Sequence, residues 1–350
     1  MSTSLKEIKF LEDLPDQVLI IDKFKTINYA NKASKNHFGP NIENQNISSI
    51  VRDPSLLSQI DESLEKNKSG ILDIEIKQPN FQFFKVSVMP GPKNLLADSD
   101  TVIIFFKDLT DIIKVQKLKS DFVANVSHEL RTPLQSIKLG LETINNGHAT
   151  KDLESQKKIL PVVLQQTSRM ENIVNDLLSL SRIELQEHIR PNDKVDLNEI
   201  ISHSIELHKE ILKKNNIKCE FEEKSKSIKT NGDRNRLIEV FNNLIDNAIK
   251  YSEKNKKIII KSKIEGDYFI VVIKDEGIGI SKENIPQITE RFFRVDPAKS
   301  KEVGGTGLGL AIVKHIVNQH RAEMTISSEI NKGTEITLNF PINWVFQLKS

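Results

Sequence analysis

The chain has 350 residues, 38% of them hydrophobic and 28% charged, the proportions of ordinary globular protein with length for two or three domains. Fifty basic residues against 48 acidic leave a net charge of +2, too balanced to suggest nucleic acid or an anionic membrane as the main partner. A single cysteine, Cys219, excludes an internal disulfide and a cysteine-rich zinc cluster, fits a reducing compartment, and reads as packing.

Segment 1–14 mixes Lys6, Glu7, Lys9, Glu12 and Asp13 with its apolar residues, so no signal-peptide core is expected there. No apolar run approaches the roughly 18 residues of a spanning helix, and a soluble, cytoplasmic chain without a transmembrane segment is the expectation. Lysine pairs such as Lys213-Lys214 and Lys256-Lys257 read as solvated faces.

The first hundred residues predict short strands separated by turns. Val18 to Ile21 is a compact apolar run, and Lys23 to Lys25 is the expected turn into Thr26-Ile27-Asn28. Leu72, Ile74 and Ile76 alternate with Asp73, Glu75 and Lys77 before Gln78-Pro79-Asn80, and Phe81 to Met89 follows, which predicts a hairpin. Thr101 to Phe106 is a further strand. Helices are expected at Asn31 to His37 and Leu56 to Lys66. Over about residues 10 to 111, Leu14-Pro15-Asp16-Gln17-Val18-Leu19-Ile20-Ile21-Asp22, Ile27-Asn28-Tyr29-Ala30-Asn31 and Asp108-Leu109-Thr110 resemble a PAS sensor domain. The turn at Lys23 to Lys25 departs from that pattern in lacking glycine. His37 and Tyr29 are candidate ligand contacts whose plainer reading is packing or surface, and no haem or flavin is assigned.

From Asp108 the pattern changes. Thr110 or Asp111 is the expected cap of a helix running through Ile112, Val115 and Leu118. Leu118, Phe122, Val126, Leu134, Ile137, Leu141 and Ile144 continue it at three- and four-residue steps. His128 lies off the centre of this apolar stripe, Thr132 stands one turn on over the same face, and Glu129 points about 100° round. Pro133 cannot donate to the carbonyl of Glu129, so a bend is expected just beyond the histidine. A neutral imidazole nitrogen is a nucleophile near pH 7, and a neighbouring carboxylate can hold the proton of the other nitrogen. No flexible linker intervenes between the early strands and this helix, so rotation or strain would be transmitted along it.

Ser127-His128-Glu129-Leu130-Arg131-Thr132-Pro133-Leu134 resembles the phosphoacceptor box of two-component sensor histidine kinases. Asn145-Asn146-Gly147-His148 is the expected break after it, with Gly147 closing the helix. A second helix is expected from Asp152 to about Ile189, carrying Leu153, Leu160, Leu164, Met170, Ile173, Val174, Leu177, Leu178 and Leu180. Two such helices leave apolar surface over; a second copy would complete a four-helix bundle, so a homodimer is expected, against the alternative of docking on the chain's own domains. Arg190-Pro191-Asn192-Asp193 marks a boundary.

Beyond Val195, strands and helices alternate as one α/β domain. In Leu237 to Tyr251, Asn243 and Asn247 share a helical face where amide oxygens can serve a hard cation, and Lys250 lies a turn beyond, suited to phosphate; the plain alternative is a solvated face. Asp275-Glu276-Gly277-Ile278-Gly279-Ile280 follows the strand Phe269 to Ile273, so that a strand-end carboxylate can accept from an exocyclic amine; a tight turn is the alternative. In Arg291-Phe292-Phe293-Arg294 the phenylalanines read either as an anchor for the segment that follows or as core. Gly304-Gly305-Thr306-Gly307-Leu308-Gly309 opens an apolar helix, exposing N–H groups to phosphate, and Val295 to Gly304 upstream is placed to close as a lid. It is not a Walker P-loop, since no Gly-Lys-Ser/Thr closes it.

In this order the four stretches resemble the N, G1, F and G2 boxes of the histidine-kinase ATP-binding domain, the Bergerat fold shared with gyrase and Hsp90. The resemblance implies that Asn247 ligates Mg²⁺, Asn243 supports the phosphates, Asp275 holds adenine, and Gly305, Gly307 and Gly309 shape the lid and phosphate site. Lys250, Tyr251, Gly277, Gly279, Thr306 and Leu308 complete the implied ATP-binding set. Phe293 stands where a tyrosine is often found.

The expected architecture is multidomain α+β: a PAS-like antiparallel sheet with helices (1–111), a helical hairpin forming a dimeric four-helix bundle (112–190), and a Bergerat-type α/β sandwich that binds ATP (191–350). The resemblance implies a sensor histidine kinase: phosphoryl transfer from ATP to His128 with Glu129 as base, then to an aspartate of a response regulator on a separate chain. His-Glu-x-x-Thr also resembles the family's phosphatase motif, which gives Thr132 a role in orienting water. Ser181 to His188 and the sensor layout resemble phosphate-regulon sensor kinases, many of which carry a membrane segment, and this points to phosphate-starvation signalling. The rival readings are a Bergerat-fold ATPase driving conformational change and a catalytically silent PAS scaffold; a complete histidine box argues against the first and intact Asn247, Asp275 and glycine boxes against the second.

Overall fold

Residues 9–76, 81–92, 100–145, 153–223, 229–296 and 304–342 are described in the computed structural model. They belong to two units, Met1–Val123 and Ala124–Ser350.

In the first unit a short helix α1 (Lys9–Glu12) precedes β1 (Gln17–Asp22), β2 (Ile27–Ala30), α2 (Lys32–Phe38), α3 (Pro54–Lys66), β3 (Gly70–Ile76), β4 (Gln82–Pro90) and β5 (Thr101–Asp108). The strands form an antiparallel sheet in the order β2-β1-β5-β4-β3. Alternation turns Phe84, Val86 and Val88 of β4 and Val102, Ile104 and Phe106 of β5 into one core with Leu56 and Ile60 of α3. Asn31 is fully buried, and its amide joins the N-terminal segment to the sheet. Oδ1 accepts from Val18 N and Ser34 N, and Nδ2 donates to Leu11 O and Asp16 O.

The turn without glycine is held by other means. Lys25 takes φ 63°, Asp22 Oδ1 accepts from Phe24 N and Thr26 N at 2.9 Å each, and Lys25 Nζ pairs with Asp61 at 2.7 Å. His37 packs edge-on against Phe38 and Phe84, and Tyr29 donates to Glu12 at 2.8 Å. The expected hairpin is β3–β4, in register from Gly70 opposite Val88 to Ile76 opposite Gln82; its turn, Gln78 to Asn80, lies outside the described residues.

Helix α4 (Thr110–Asn145) starts where expected but is capped differently. Asp108 Oδ1 accepts from Thr110 N at 2.8 Å, whereas the Thr110 hydroxyl accepts from Phe83 N at 2.9 Å and so ties the helix start to β4. The helix is unbroken through Pro133, because one missing donor removes a single ladder bond while its neighbours remain. Gly147 lies outside the described residues.

In the second unit α5 (Leu153–Leu185) ends short of Ile189, where Glu187 N and Ile189 N turn to acceptors three residues back. After it come β6 (Lys194–Asp196), α6 (Leu197–Leu207), α7 (Lys209–Lys214), β7 (Lys218–Glu223), β8 (Lys229–Asn231), α8 (Arg234–Tyr251), β9 (Lys257–Glu265), β10 (Tyr268–Asp275), α9 (Gly309–Gln319), β11 (Glu323–Glu329) and β12 (Gly333–Pro341). The main sheet runs β11-β12-β10-β9-β7, antiparallel except for β7 against β9, and β6 pairs with β8. Ile258, Ile260, Phe269, Val271, Ile273, Leu338 and Phe340 are buried on one face of the sheet, where α8 packs on β10 and against α6 and α9. This is the two-layer sandwich expected. Buried His320 joins the ends of two helices: its Nδ1 donates to Ile316 O at 2.8 Å and its Nε2 accepts from Asp233 N at 3.0 Å.

Candidate functional site

Helix α8 begins at Asp233, whose carboxylate accepts from Asn235 N and Arg236 N, and buries Leu237, Val240, Phe241, Leu244, Ile245, Ala248 and Ile249. The period that buries these residues leaves Asn243, Asn247, Lys250 and Tyr251 along the adjoining flank, where they line a cavity of about 360 Å³. Asp275 and Gly279 from the end of β10, Phe293 and Arg294, and Gly304, Gly305, Thr306, Gly307 and Gly309 before and at α9 complete its wall. Val295 and Asp296 also line it; residues 297–303 of the expected lid lie outside the described residues.

Ile273, Ile278, Ile280, Ile288 and Ile336 line the same cavity as Asp275. Asp275 Oδ1 accepts from Gly277 N at 2.8 Å and Thr334 N at 3.2 Å, leaving Oδ2 outside that pair of bonds. Burial pushes its carboxyl above the usual range, and these two donors partly offset the rise. An acceptor oxygen within an apolar wall suits a flat heteroaromatic ring carrying an amine. Gly279 has φ +69°, and a Cβ there would stand 2.0 Å from Glu329 O, so only glycine permits this approach. Gly277 and Leu308 do not line the cavity. Gly277 fixes Asp275 through its N–H, and Leu308, fully buried, begins α9 with its N–H on Thr306 Oγ1 at 3.3 Å.

Asn243 Nδ2 donates to Glu239 O at 3.0 Å, and a Cβ at Gly309 would meet Asn243 Oδ1 at 2.7 Å. Lys250, expected to serve phosphate, is paired with Asp246 at 2.6 Å. The amide oxygens of Asn243 and Asn247 and the start of α9 are a hard-donor and N–H set that fits a hydrated divalent cation and phosphates.

His128 and Thr132 stand on α4 of the same unit. His128 is exposed, and the Thr132 hydroxyl donates back to His128 O at 3.3 Å. Glu129 is turned elsewhere: Arg294 donates from Nη1 and Nη2 to its two oxygens at 3.3 and 2.9 Å, and Arg169 Nη2 donates at 3.4 Å. The side chains of Arg294, Arg169 and Glu129 are 6%, 11% and 15% exposed. Sequence reasoning did not find Arg169, Asn172 or Asp176 as site residues, although Asn172 and Asp176 line the cavity and Thr306 donates to Asp176 at 2.7 Å. Asn172, Asp176 and Ser179 recur at four- and three-residue steps on α5, a polar stripe opposite the expected leucines and the one signal available.

The hairpin packs through α5 on α9. Arg190 donates to Asn318 O and Gln319 O, Gln319 donates to Gln186 O and Ile189 O, and Arg291 pairs with Glu184. Among the described residues no helix is long and apolar enough to cross a membrane.

Residues 118–186 match the family described as His Kinase A (phospho-acceptor) domain, and residues 232–343 match the histidine kinase-, DNA gyrase B- and HSP90-like ATPases. The phosphate regulon sensor protein PhoR of Pseudomonas aeruginosa is 30% identical over 331 residues, 93% of this chain and 72% of that protein. The sensor protein kinase WalK of Staphylococcus saprophyticus is 35% identical over 284 residues, 81% of this chain; the chain spans about half, 46%, of that relative. Among solved structures, the Acinetobacter baumannii histidine kinase AdeS is 28% identical with a TM-score of 0.50, covering 62% of this chain and 98% of AdeS. The histidine kinase ThkA, solved in complex with the response regulator protein TrrA, agrees in fold at 23% identity and a TM-score of 0.51, covering 98% of this chain and 99% of ThkA. The chain therefore belongs to the sensor histidine kinases of two-component systems. It is a histidine kinase with an ATP-binding domain.

Proposed function

We propose that the chain transfers the γ-phosphoryl group of ATP to His128 and then to an aspartate of a separate response regulator. The observation that carries this reading is the convergence of Asn243, Asn247, Asp275 and the glycines of 304–309 on one cavity, in the unit that also holds exposed His128. Asp275 would accept from the adenine amine, and Gly305, Thr306, Gly307 and the start of α9 would receive the phosphates. Asn247, with Asn243 beside it, would hold Mg²⁺, which when bound offsets phosphate charge. Tyr251 and Lys250 border the same wall. An imidazole nitrogen of His128 forms a bond to phosphorus as the bond to the ADP oxygen breaks, and the proton of the other nitrogen is held by Glu129. Glu129 must first leave Arg294, so the described arrangement precedes the reactive one. Thr132 would orient the water that removes phosphate from the regulator.

Leu118, Leu134 and Leu141 of α4 and Leu160, Leu164 and Leu178 of α5 are exposed in the single chain, which supports a homodimer closed as a four-helix bundle. The antiparallel sheet with α2 and α3 supports a PAS reading of the first unit, and the working domain limits are 1–111, 112–190 and 191–350. We read the chain as acting in the cytoplasm. The likeness to PhoR supports phosphate-starvation signalling.

The test is incubation of wild type and His128→Gln with radiolabelled ATP and Mg²⁺, then acid and alkali treatment. An alkali-stable, acid-labile label on the wild type alone is expected. ATP binding without label on either protein would favour the ATPase reading.

A further inference from the structure

Two carboxylates of the hairpin reach Thr306 and Arg294, which line the cavity. Asp176, on α5, lines the cavity, and its Oδ2 accepts from Thr306 Oγ1 at 2.7 Å. The Thr306 hydroxyl itself accepts from Leu308 N at the start of α9, so the carboxylate is one bond removed from the positive end of that helix. Glu129, on α4, takes both terminal nitrogens of cavity-lining Arg294, and Arg294 Nη2 also donates to Thr306 O at 2.8 Å. A hydroxyl, a guanidinium and a glycine-rich helix start are donors suited to phosphate oxygens. Here the hydroxyl and the guanidinium face carboxylate oxygens.

Asp176 is held at a cost. Burial, with Glu239 and Asp246 nearby, pushes its carboxyl above the usual range, while Thr306 and Lys250 pull it down. A charge kept in such a place is readily displaced when its partners find a better anion.

We propose that Asp176 and Glu129 are internal stand-ins for nucleotide phosphate, so that docking of the hairpin on the cavity and binding of a nucleotide polyphosphate exclude each other. The inference rests on the ATP reading of the cavity. Its chemical consequence is that the polyphosphate, by taking Thr306 and Arg294, releases Glu129 beside His128; loading the substrate frees the base. Linkage makes the coupling reciprocal: the factor by which docking weakens nucleotide binding is the factor by which nucleotide weakens docking, so loosening the hairpin tightens nucleotide binding.

Asp176→Asn keeps an oxygen for Thr306 and removes the charge, and its thermal midpoint reports whether the chain still folds. Calorimetric titration of the full chain with ATP and with adenosine is the measurement. The variant is expected to bind ATP about fivefold tighter or more, with adenosine within about twofold of wild type. In the wild type, ATP but not adenosine is expected to speed amide exchange around Asp176. Unchanged or weaker ATP binding by Asp176→Asn, or an equal gain for adenosine, overturns this inference alone. Failure of both proteins to bind ATP overturns the nucleotide reading and this inference with it.

Discussion

Arg294 grips both carboxylate oxygens of Glu129, at 3.3 and 2.9 Å, although the two residues are 165 positions apart in the chain. The pair joins the helix that carries His128 to the wall of the cavity beside α8, in a setting where little of either side chain meets water.

Replacing Arg294 by leucine leaves Glu129 with the longer contact to Arg169 alone. Hydrogen bonds to charged groups are worth about 1.5–3 kcal/mol, so a loss of about 2 kcal/mol is expected in urea unfolding. Unchanged stability would mean that desolvating the pair cancels its attraction.

Gly279→Ala places a methyl group against Glu329 O and asks alanine to adopt φ +69°. We expect a loss of about 2 kcal/mol or more together with weakened ATP binding. Gly266→Ala is the control: its φ is +59° with nothing within 4 Å, so only the conformational cost of about 1 kcal/mol is expected, and ATP binding is retained.

Burial holds the His320 imidazole below its ordinary pKa of 6.5, outweighing the nearby Asp233 carboxylate. The folded chain keeps it neutral while the unfolded chain protonates it. The stability it contributes is therefore full above 6.5 and lost as pH falls through that value toward the folded pKa, by at most about 1.4 kcal/mol per unit. Unfolding midpoints measured from about pH 8 down to about pH 5 are expected to fall less steeply in His320→Gln than in wild type.

The Thr132 hydroxyl makes only a 3.3 Å bond to His128 O, so Thr132→Ala is expected to leave the helix and autophosphorylation intact. Release of phosphate from a phosphorylated regulator is expected to fall about tenfold or more. An equal fall in both activities would assign Thr132 to the kinase step.

What was legible in the sequence is what depends on period and on local chemistry. Alternation placed β3 and β4, the three- and four-residue repeat placed α4 and α5, and the glycines at 277, 279, 307 and 309 marked the backbone that comes close to other atoms. The Lys23–Lys25 turn shows the limit of such signals, since it forms without the glycine of the resembled pattern: Lys25 takes a positive φ and the Asp22 side chain holds the turn. The cap of α4 shows another: Thr110 carries the right hydroxyl, but Phe83 N, 27 residues away, claims it. Asp176 and Arg294 were not legible as partners of Thr306 and Glu129, because such pairing depends on how α5 lies against α9 and no local pattern encodes that.

Helix α4 is unbroken over 36 residues, from the capping Asp108 past His128, and its early part exposes Ile112, Val115 and Leu118. An uninterrupted helix has phase. One residue inserted near Lys117 turns everything downstream by about 100°, and seven restore the original face to within about 20°. Autophosphorylation measured along a ladder of insertions is therefore expected to rise and fall with the helical repeat, as the output of a crankshaft does with angle. A response that only declined with insertion length would mean that the helix acts as a tether.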